Sequence, residues 1–121
     1  MAIICAGFPF DSDNICCHMK KYLDDLEAVI QDRKNKDPQE SYVASLIMEK
    51  EKIILKIKEE SQELAEAFLE NDPDSIKHES ADLLFHLMVL LSEKNIPFDE
   101  VLLELKKREG ISGHEEKKSR K

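Results

Sequence analysis

Residues 83–91 read LLFHLMVLL, and this apolar run constrains the fold more than any other stretch of the chain. It follows NDPDS, in which Asp72 can cap a helix whose first turn contains Pro73. The spacing predicts a helix over about residues 73–94 with apolar side chains on almost every side. Such a helix must be covered by more than one neighbour. The sequence therefore predicts a bundle of helices.

Three more segments, over about residues 19–34, 41–70 and 99–110, repeat apolar residues at helical spacing. Pro38 disfavours helical backbone just before it, so a loop separates the first two. Only three glycines and four prolines occur in 121 residues, which suits helices better than a sheet. We expect an all-α fold, an antiparallel bundle of about four helices completed by homo-oligomerisation.

The same periodicity divides the chain and predicts which side chains are buried. Residues 1–18 show no sustained pattern and are predicted to be a disordered extension, residues 19–112 the all-α domain, and residues 113–121 a charged tail. The second predicted helix has an apolar stripe of Leu46, Ile53, Ile54, Ile57, Leu64, Ala65 and Phe68. The last is expected to bury Val101, Leu102 and Leu105.

Charge and cysteine usage limit the possible partners. The formal net charge is −8, which disfavours non-specific attraction to nucleic acid or to an anionic membrane. There is neither an apolar run long enough to span a membrane nor the charged start of a signal peptide, so we expect a cytoplasmic protein. The three cysteines, Cys5, Cys16 and Cys17, predict no disulfide framework. A zinc site at Cys16, Cys17 and His18 would lack a second pair of ligands.

The stretch EESQE places Glu59, Glu60 and Glu63 within little more than one helical turn, where like charges repel. On the next helix Glu79 and Asp82 share an arc of about 60° flanked by apolar residues. A turn near residue 72 makes the two helices an antiparallel hairpin. At about 1.5 Å per residue, Glu63 then lies within roughly 3 Å of the height of Glu79, and Glu60 of Asp82.

Carboxylates that converge from two helices are suitable ligands for Mg²⁺ or Mn²⁺. The alternative is a solvated face on which the glutamates of EESQE pair with Lys52, Lys56 and Lys58. That alternative explains Glu79 and Asp82 less well, because their helix has no ordinary solvent face. His86 shares their arc, and since Mg²⁺ prefers oxygen we expect it to orient a ligand or to be a core histidine rather than to bind the metal.

The pattern Glu59-Glu60-x-x-Glu63 followed by Glu79-x-x-Asp82 resembles the metal signature of the all-α nucleoside triphosphate pyrophosphohydrolases. The segments VIQDRK, SYVASL, KIKEE, ESADLLFHLMVLL and VLLELKKREGIS are more specific. They are similar to the phosphoribosyl-ATP pyrophosphohydrolase family of histidine biosynthesis, and the similarity extends from about Tyr22 to Ser112.

The resemblance implies a homo-oligomeric enzyme that uses Mg²⁺ to split the α–β phosphoanhydride of phosphoribosyl-ATP into phosphoribosyl-AMP and pyrophosphate. Glu60, Glu63, Glu79 and Asp82 are then metal ligands. Glu59 then binds a further metal or orients the attacking water. The predicted catalytic residues are Glu59 and Glu63.

The predicted substrate contacts are cations and hydroxyl groups that suit phosphate or ribose oxygens. They are Arg33, Lys34, Ser41, Tyr42 and Lys56. Arg33 and Lys34 also have a purely structural interpretation, as cations at a helix C-terminus. Two other functions are compatible with the acids, namely a house-cleaning pyrophosphohydrolase for free or modified nucleotides and a non-catalytic helical interaction module.

Overall fold

A computed structural model describes the backbone of residues 12–109 and the side chains of residues 21–109. Within this range the chain forms helices and no strand, which confirms the all-α prediction. The helices are α1 (Ser12–Arg33), α2 (Tyr42–Met48), α3 (Lys50–Glu70), α4 (Pro73–Glu93) and α5 (Phe98–Lys107). None of them is both long and apolar enough to cross a membrane.

Helices α3 and α4 form an antiparallel hairpin that is fixed at both ends. Asn71 adopts the left-handed conformation (φ 58°) that commonly ends a helix. The next residue, Asp72, caps α4 by accepting the backbone N–H of Asp74 at 3.2 Å, as the sequence predicts. At the open end the Lys50 ammonium lies 2.8 Å from a carboxylate oxygen of Glu93. These contacts fix the relative height of the residues on the two helices.

The core lies where α1, α2, α3 and α4 meet. Its buried apolar side chains are Ile30, Val43, Leu46, Ile53, Met88 and Val89. Partly buried side chains that pack around them come from all five helices and include Leu26, Ile47, Ile57, Leu84, Leu90 and Phe98. Helix α4 supplies the centre of this core, because α1, α2 and α3 all pack against it.

Polar contacts attach α1 to the ends of its neighbours. The Lys34 ammonium donates to the main-chain oxygen of Ser92 at 3.0 Å and to the side-chain oxygen of Asn95 at 3.3 Å. It therefore serves the C-terminus of α4, where free carbonyl groups attract a cation. Glu27 accepts the backbone N–H of Phe98 at 2.7 Å. That bond supplies an acceptor at the start of α5, whose own cap residue contributes none.

The single helix predicted over residues 41–70 is wrong, because Glu49 interrupts it with φ −119° and ψ 83°. No glycine or proline marks the break. The separated α2 packs against α1, α3 and α4, and it buries Val43, Ala44 and Leu46. This packing favours a break that costs few hydrogen bonds, since the N–H of Glu49 still reaches the carbonyl of Ser45 at 3.1 Å.

Several residues that were predicted to be buried are exposed or only half-buried in the structure of one chain. Ile54 and Phe68 on α3 are 53% and 68% exposed, because the apolar stripe of α3 is wider than the face that packs on α4. Helix α5 buries no residue. Leu105 is 57% exposed, and Val101 and Leu102 are only half-buried.

Helix α1 begins at Ser12 rather than near Met19, so residues 12–18 of the predicted disordered extension are helical. Cys5 and the predicted tail lie outside the described residues, as do the side chains of Cys16, Cys17 and His18. The division of the chain into an extension, a domain and a tail stays a prediction.

The cap of α2 provides a test of the packing between α1 and α2. The buried Ser41 hydroxyl accepts the N–H of Ala44 at 3.2 Å and donates to the carbonyl oxygen of Arg33 at 3.1 Å. We expect Ser41→Ala to lower the free energy of unfolding by about 1–2 kcal/mol, since both bonds are lost. Urea denaturation measures the change. Ser80→Ala, at an exposed position of α4, is the control, and equal stability of the two variants would contradict the role of the cap.

Candidate metal centre

The α3–α4 hairpin brings acidic side chains from both helices together. Carboxylate oxygens of Glu60 and Glu63 on α3 and of Glu79 on α4 all lie within 4.8 Å of one another. Oxygens of Glu79 and Asp82 form a second group with a ring nitrogen of His78, within the same distance. Because Glu79 belongs to both groups, we treat Glu60, Glu63, Glu79 and Asp82 as one carboxylate cluster.

Two members of the carboxylate cluster are in surroundings that disfavour a free negative charge. Glu60 is only 6% exposed. One carboxylate oxygen of Glu79 is buried and has no hydrogen-bond partner. A buried carboxylate oxygen without a partner is costly, and a divalent cation would satisfy it. The donor set is oxygen-rich and held by two helices, so these residues fit Mg²⁺ or Mn²⁺.

The pKa values of the cluster show the same conflict between like charges. Burial raises the pKa of Glu60, and the negative charge of Asp82 raises it further. A hydrogen bond shared with Glu79 raises the pKa of Glu63, with a smaller contribution from desolvation. In the absence of a cation, protonation therefore relieves the repulsion within the cluster.

Glu59, the fifth predicted acid, is not part of the cluster. Its carboxylate lies 3.4 Å from the ammonium of Lys56, and both side chains are substantially exposed. This hydrogen bond raises the pKa of Lys56, and the charge of Glu60 contributes a smaller effect in the same direction. The pair places one cation and one further acid beside the carboxylate cluster. The predicted roles of Glu59, as a further ligand or as the group that orients the water, stay predictions.

His86 occupies the position expected of an orienting residue. Its Nδ1 lies 2.8 Å from the main-chain oxygen of Asp82 and 3.9 Å from a carboxylate oxygen of Glu60. Its Nε2 lies 2.8 Å from the hydroxyl of Tyr42. The imidazole is thus buried beside the carboxylate cluster and contacts both helices of the hairpin.

Sequence reasoning missed His78. Its Nε2 lies 3.3 Å from a carboxylate oxygen of Asp82, and the side chain is exposed. The signal was available, since His78 precedes Glu79 directly and stands four residues before Asp82, on the same helical face. His78 therefore adds a possible metal ligand on the solvent-exposed side of the carboxylate cluster.

Of the five predicted substrate contacts, Lys56 and Tyr42 lie beside the carboxylate cluster. Burial raises the pKa of Tyr42, and the charges of Glu60, Glu59 and Asp82 also raise it, whereas Lys56 lowers it. The Tyr42 hydroxyl points to His86, while about half of the side chain is exposed. Tyr42 therefore combines a hydroxyl that is bonded within the protein with a side chain that is partly exposed.

Lys34 and Ser41 are engaged in structural contacts instead. The ammonium of Lys34 binds at Ser92, which lies about 15 Å along α4 from Asp82. The Ser41 hydroxyl is buried and occupied by its two cap bonds. Arg33 is exposed at the end of α1, and its side chain remains a predicted phosphate contact.

A family model described as Phosphoribosyl-ATP pyrophosphohydrolase matches residues 23–109 of this chain. The chain belongs to this family. The match confirms the resemblance seen in the sequence, and it contains every residue of the phosphoribosyl-ATP pyrophosphohydrolase site predicted above.

Relatives of the same name support the assignment. A protein of Novosphingobium aromaticivorans named phosphoribosyl-ATP pyrophosphatase is 52% identical over 96 residues, which cover 78% of this chain and 90% of that protein. A namesake from Rhizorhabdus wittichii is 48% identical, with 81% and 93% covered. Another from Haloarcula marismortui is 43% identical, with 71% and 91% covered. The similarity thus spans nearly the whole length of these family members.

The raised pKa values of Glu60 and Glu63 make the stability of the metal-free protein depend on pH. These carboxyl groups bind protons more tightly in the folded chain than in the unfolded chain, where the pKa is 4.5. Their destabilising effect is absent below that value and grows as pH rises through the higher folded values. In EDTA we expect Tm to fall as the pH rises above 4.5 towards neutrality. Millimolar Mg²⁺ should restore much of the loss at neutral pH.

Two variants show whether the carboxylate cluster causes this pH dependence. Glu63→Gln should flatten the fall in Tm, whereas Glu70→Gln, at an exposed position of the same helix, should leave it unchanged. Glu93, whose pKa is lowered by Lys50, adds stability that is lost only when the pH falls below 4.5, outside this window. The same slope in Glu63→Gln and the unaltered protein would rule out the cluster as its source.

Proposed function

We propose that this protein hydrolyses the α–β phosphoanhydride of phosphoribosyl-ATP, giving phosphoribosyl-AMP and pyrophosphate at an early step of histidine biosynthesis. The single observation that carries the proposal is the convergence of Glu60, Glu63 and Glu79 within 4.8 Å, in a chain that belongs to the phosphoribosyl-ATP pyrophosphohydrolase family. A triphosphate carries several negative charges, and an acidic site can accept it only together with cations. A nucleotide substrate of this kind would place the protein in the cytoplasm.

The carboxylate cluster would hold the cation. Bound there, Mg²⁺ or Mn²⁺ supplies charge neutralisation for the triphosphate and a more acidic water. Glu60, Glu63, Glu79 and Asp82 act as its ligands, and the two packed helices keep their side chains in place before the substrate arrives. Little reorganisation is then needed during the reaction.

Residues beside the cluster would act on the substrate and the water. Glu59 lies one turn before Glu63 and is exposed, so it can accept a proton from the attacking water. The ammonium of Lys56, which pairs with Glu59 at 3.4 Å, can move to a phosphate oxygen when the triphosphate binds. Arg33 is a further candidate for the phosphates, because a guanidinium group binds them in a bidentate manner.

Two alternatives make different predictions. A house-cleaning pyrophosphohydrolase would use the same metal site for free or modified nucleotides, but the relatives at 43–52% identity bear the name phosphoribosyl-ATP pyrophosphatase. A non-catalytic helical module would need no cation, and it gives no reason for a buried carboxylate oxygen of Glu79 without a partner. Both points favour the hydrolysis of phosphoribosyl-ATP.

An assay of pyrophosphate release with Mg²⁺ and phosphoribosyl-ATP, ATP, dUTP or dCTP tests the proposal. We expect phosphoribosyl-ATP to be the preferred substrate. Glu60→Gln and Glu79→Gln should each lower kcat by about 100-fold or more, since changes even in residues that only support metal ligands cost about 10–100-fold. Glu70→Gln, far along α3, is the matched control and should keep full activity.

The outcomes separate the three functions. Release from the free nucleotides alone would support the house-cleaning function and contradict the proposal. No release from any of the four compounds would contradict an enzymatic role. Full activity in Glu60→Gln would show that the metal ligands lie elsewhere.

We further propose that the protein assembles as a homodimer or as a dimer of dimers. The outer face of α3 exposes four large apolar side chains. Exposed apolar residues that are grouped on one face mark an interaction surface, whereas singly scattered ones need no explanation. They are Ile54, Leu55, Phe68 and Leu69. The small residues Ser61 and Ala65 lie between them on the same face and are also exposed. This α3 outer face is most simply covered by a second copy of the chain.

The α3 outer face is self-complementary. Ile54 and Phe68 are equally distant from Ser61 along the helix, about 10 Å on either side, and all three lie within an arc of about 40°. Two copies of α3 that cross antiparallel at Ser61 would place Ile54 against Phe68 of the partner subunit. The small side chains at the crossing would allow a close approach, as an isologous interface requires.

A charge placed on this face should dissociate the dimer. We expect Phe68→Glu to sediment as a monomer at micromolar concentration, because burying an unpaired carboxylate at the interface is unfavourable. Leu103→Glu makes the same kind of change at an exposed leucine of α5 and should leave the mass unchanged. A dimeric Phe68→Glu variant would exclude the α3 outer face as the interface, and a monomeric unaltered protein would exclude the assembly itself.

A further inference from the structure

A series of contacts runs from Tyr42 through His86 to Asp82 and Glu60, two residues of the carboxylate cluster. The hydroxyl of Tyr42 lies 2.8 Å from Nε2 of His86. On the other side of the ring, Nδ1 lies 2.8 Å from the main-chain oxygen of Asp82 and 3.9 Å from a carboxylate oxygen of Glu60. The imidazole is 6% exposed, so its hydrogen bonds are made within the protein. One ring therefore links α2 with both halves of the hairpin.

The hydrogen-bond partners determine where the ring proton lies. A carbonyl oxygen can only accept, so Nδ1 of His86 carries the hydrogen that reaches Asp82. A neutral imidazole has a single N–H, which leaves Nε2 as the acceptor for the O–H of Tyr42. This arrangement directs the N–H of His86 towards the main-chain oxygen of Asp82, beside the Glu60 carboxylate.

Tyr42 is held in place by packing as well as by this hydrogen bond. Its ring stacks on Phe85, with ring centroids 6.3 Å apart and planes inclined by 16°. It is the first residue of α2, directly after the cap residue Ser41, which is bonded to the end of α1 through Arg33. Tyr42 is therefore held both by Phe85 of α4 and by the capped start of α2.

We infer that Tyr42 is a positioning residue for the metal site. Its hydroxyl fixes the orientation of His86, which in turn bonds to the α4 backbone at Asp82 and borders the Glu60 carboxylate at 3.9 Å, limiting the positions open to that carboxylate. The affinity of the carboxylate cluster for a divalent cation thus depends on α2, which contributes no ligand. The inference rests on the proposed metal site. It assigns the Tyr42 hydroxyl a role different from the predicted contact with phosphate or ribose.

Tyr42→Phe removes the hydroxyl and leaves a ring that can stack on Phe85. Binding of Mn²⁺ without substrate, followed by the electron paramagnetic resonance signal of the free ion, measures the effect on the site directly. We expect Kd to rise about 3- to 10-fold, less than the roughly 10- to 100-fold effects of residues that contact metal ligands directly, because Tyr42 acts through His86. Tyr22→Phe removes the same atom from an exposed tyrosine of α1 and should leave Kd unchanged.

A second variant shows whether the effect passes through His86. In His86→Asn the amide can still donate near the position of Nδ1, but it is too short to reach Tyr42. In that background Tyr42→Phe should change Kd by less than about twofold, because coupled residues are non-additive. Nitrogen-15 spectra of the metal-free protein should show a hydrogen on Nδ1 of His86 and none on Nε2.

Several results would overturn the inference. They are an unchanged Kd in Tyr42→Phe, an equal effect of that substitution with and without His86, or a hydrogen on Nε2 of His86 in the unaltered protein. If the unaltered protein binds Mn²⁺ and Tyr42→Phe binds it equally well, the metal site stands and only the role of Tyr42 is lost. If the unaltered protein does not bind Mn²⁺, the metal site fails and the role of Tyr42 fails with it.

Discussion

The antiparallel contact between α3 and α4 is the interaction on which the rest of the structure depends. It holds Glu60 and Glu63 against Glu79 although their charges repel and burial raises the pKa of Glu60. The opposing attraction comes from apolar packing around Ile53 and Val89, from the Asp72 cap and from the Lys50 pair with Glu93. The hairpin thus uses part of its packing energy to maintain an unfavourable arrangement of charge. A bound cation would turn that arrangement into an attractive one.

Local rules explain how much of the fold and the site could be predicted from the sequence. Apolar spacing, Pro38 and the Asp72–Pro73 cap are signals read within a few residues. They located the loop before α2, the end of α3, the turn after it and α4. Regular helical geometry then brings the acids of the two helices to the same height. The convergence of the carboxylates therefore follows from the spacing of residues along the chain.

The features that escaped prediction depend on tertiary contacts. The break at Glu49 contains no glycine or proline that could have predicted it. It results from the packing of α2 on three other helices. Lys34 looked like a phosphate contact, but its ammonium binds the end of α4, a partner 58 residues away in sequence. The hydroxyl of Ser41, also a predicted substrate contact, caps α2 instead. A cationic or hydroxyl side chain near a loop can serve a substrate or a helix end, and the sequence does not distinguish the two.

The apolar stripe of α3 was predicted correctly as a pattern and wrongly as a buried surface. Ile54 and Phe68 are exposed, because the apolar stripe is wider than the face of α3 that packs on α4. Ile53, one residue before Ile54, belongs to the core. Of the two neighbouring isoleucines only Ile53 packs in the core, and a single periodic pattern could not separate them.

The turn at Asn71 and Asp72 has a consequence for how members of this family can differ in length. One residue inserted within α3 or α4 between Glu63 and Glu79 would rotate one set of acids by about 100° and shift it by about 1.5 Å relative to the other. The segment between Arg33 and Ser41 is largely exposed and carries none of these acids, so added residues there leave their alignment intact. Insertions and deletions should therefore accumulate before α2 and be excluded from the hairpin.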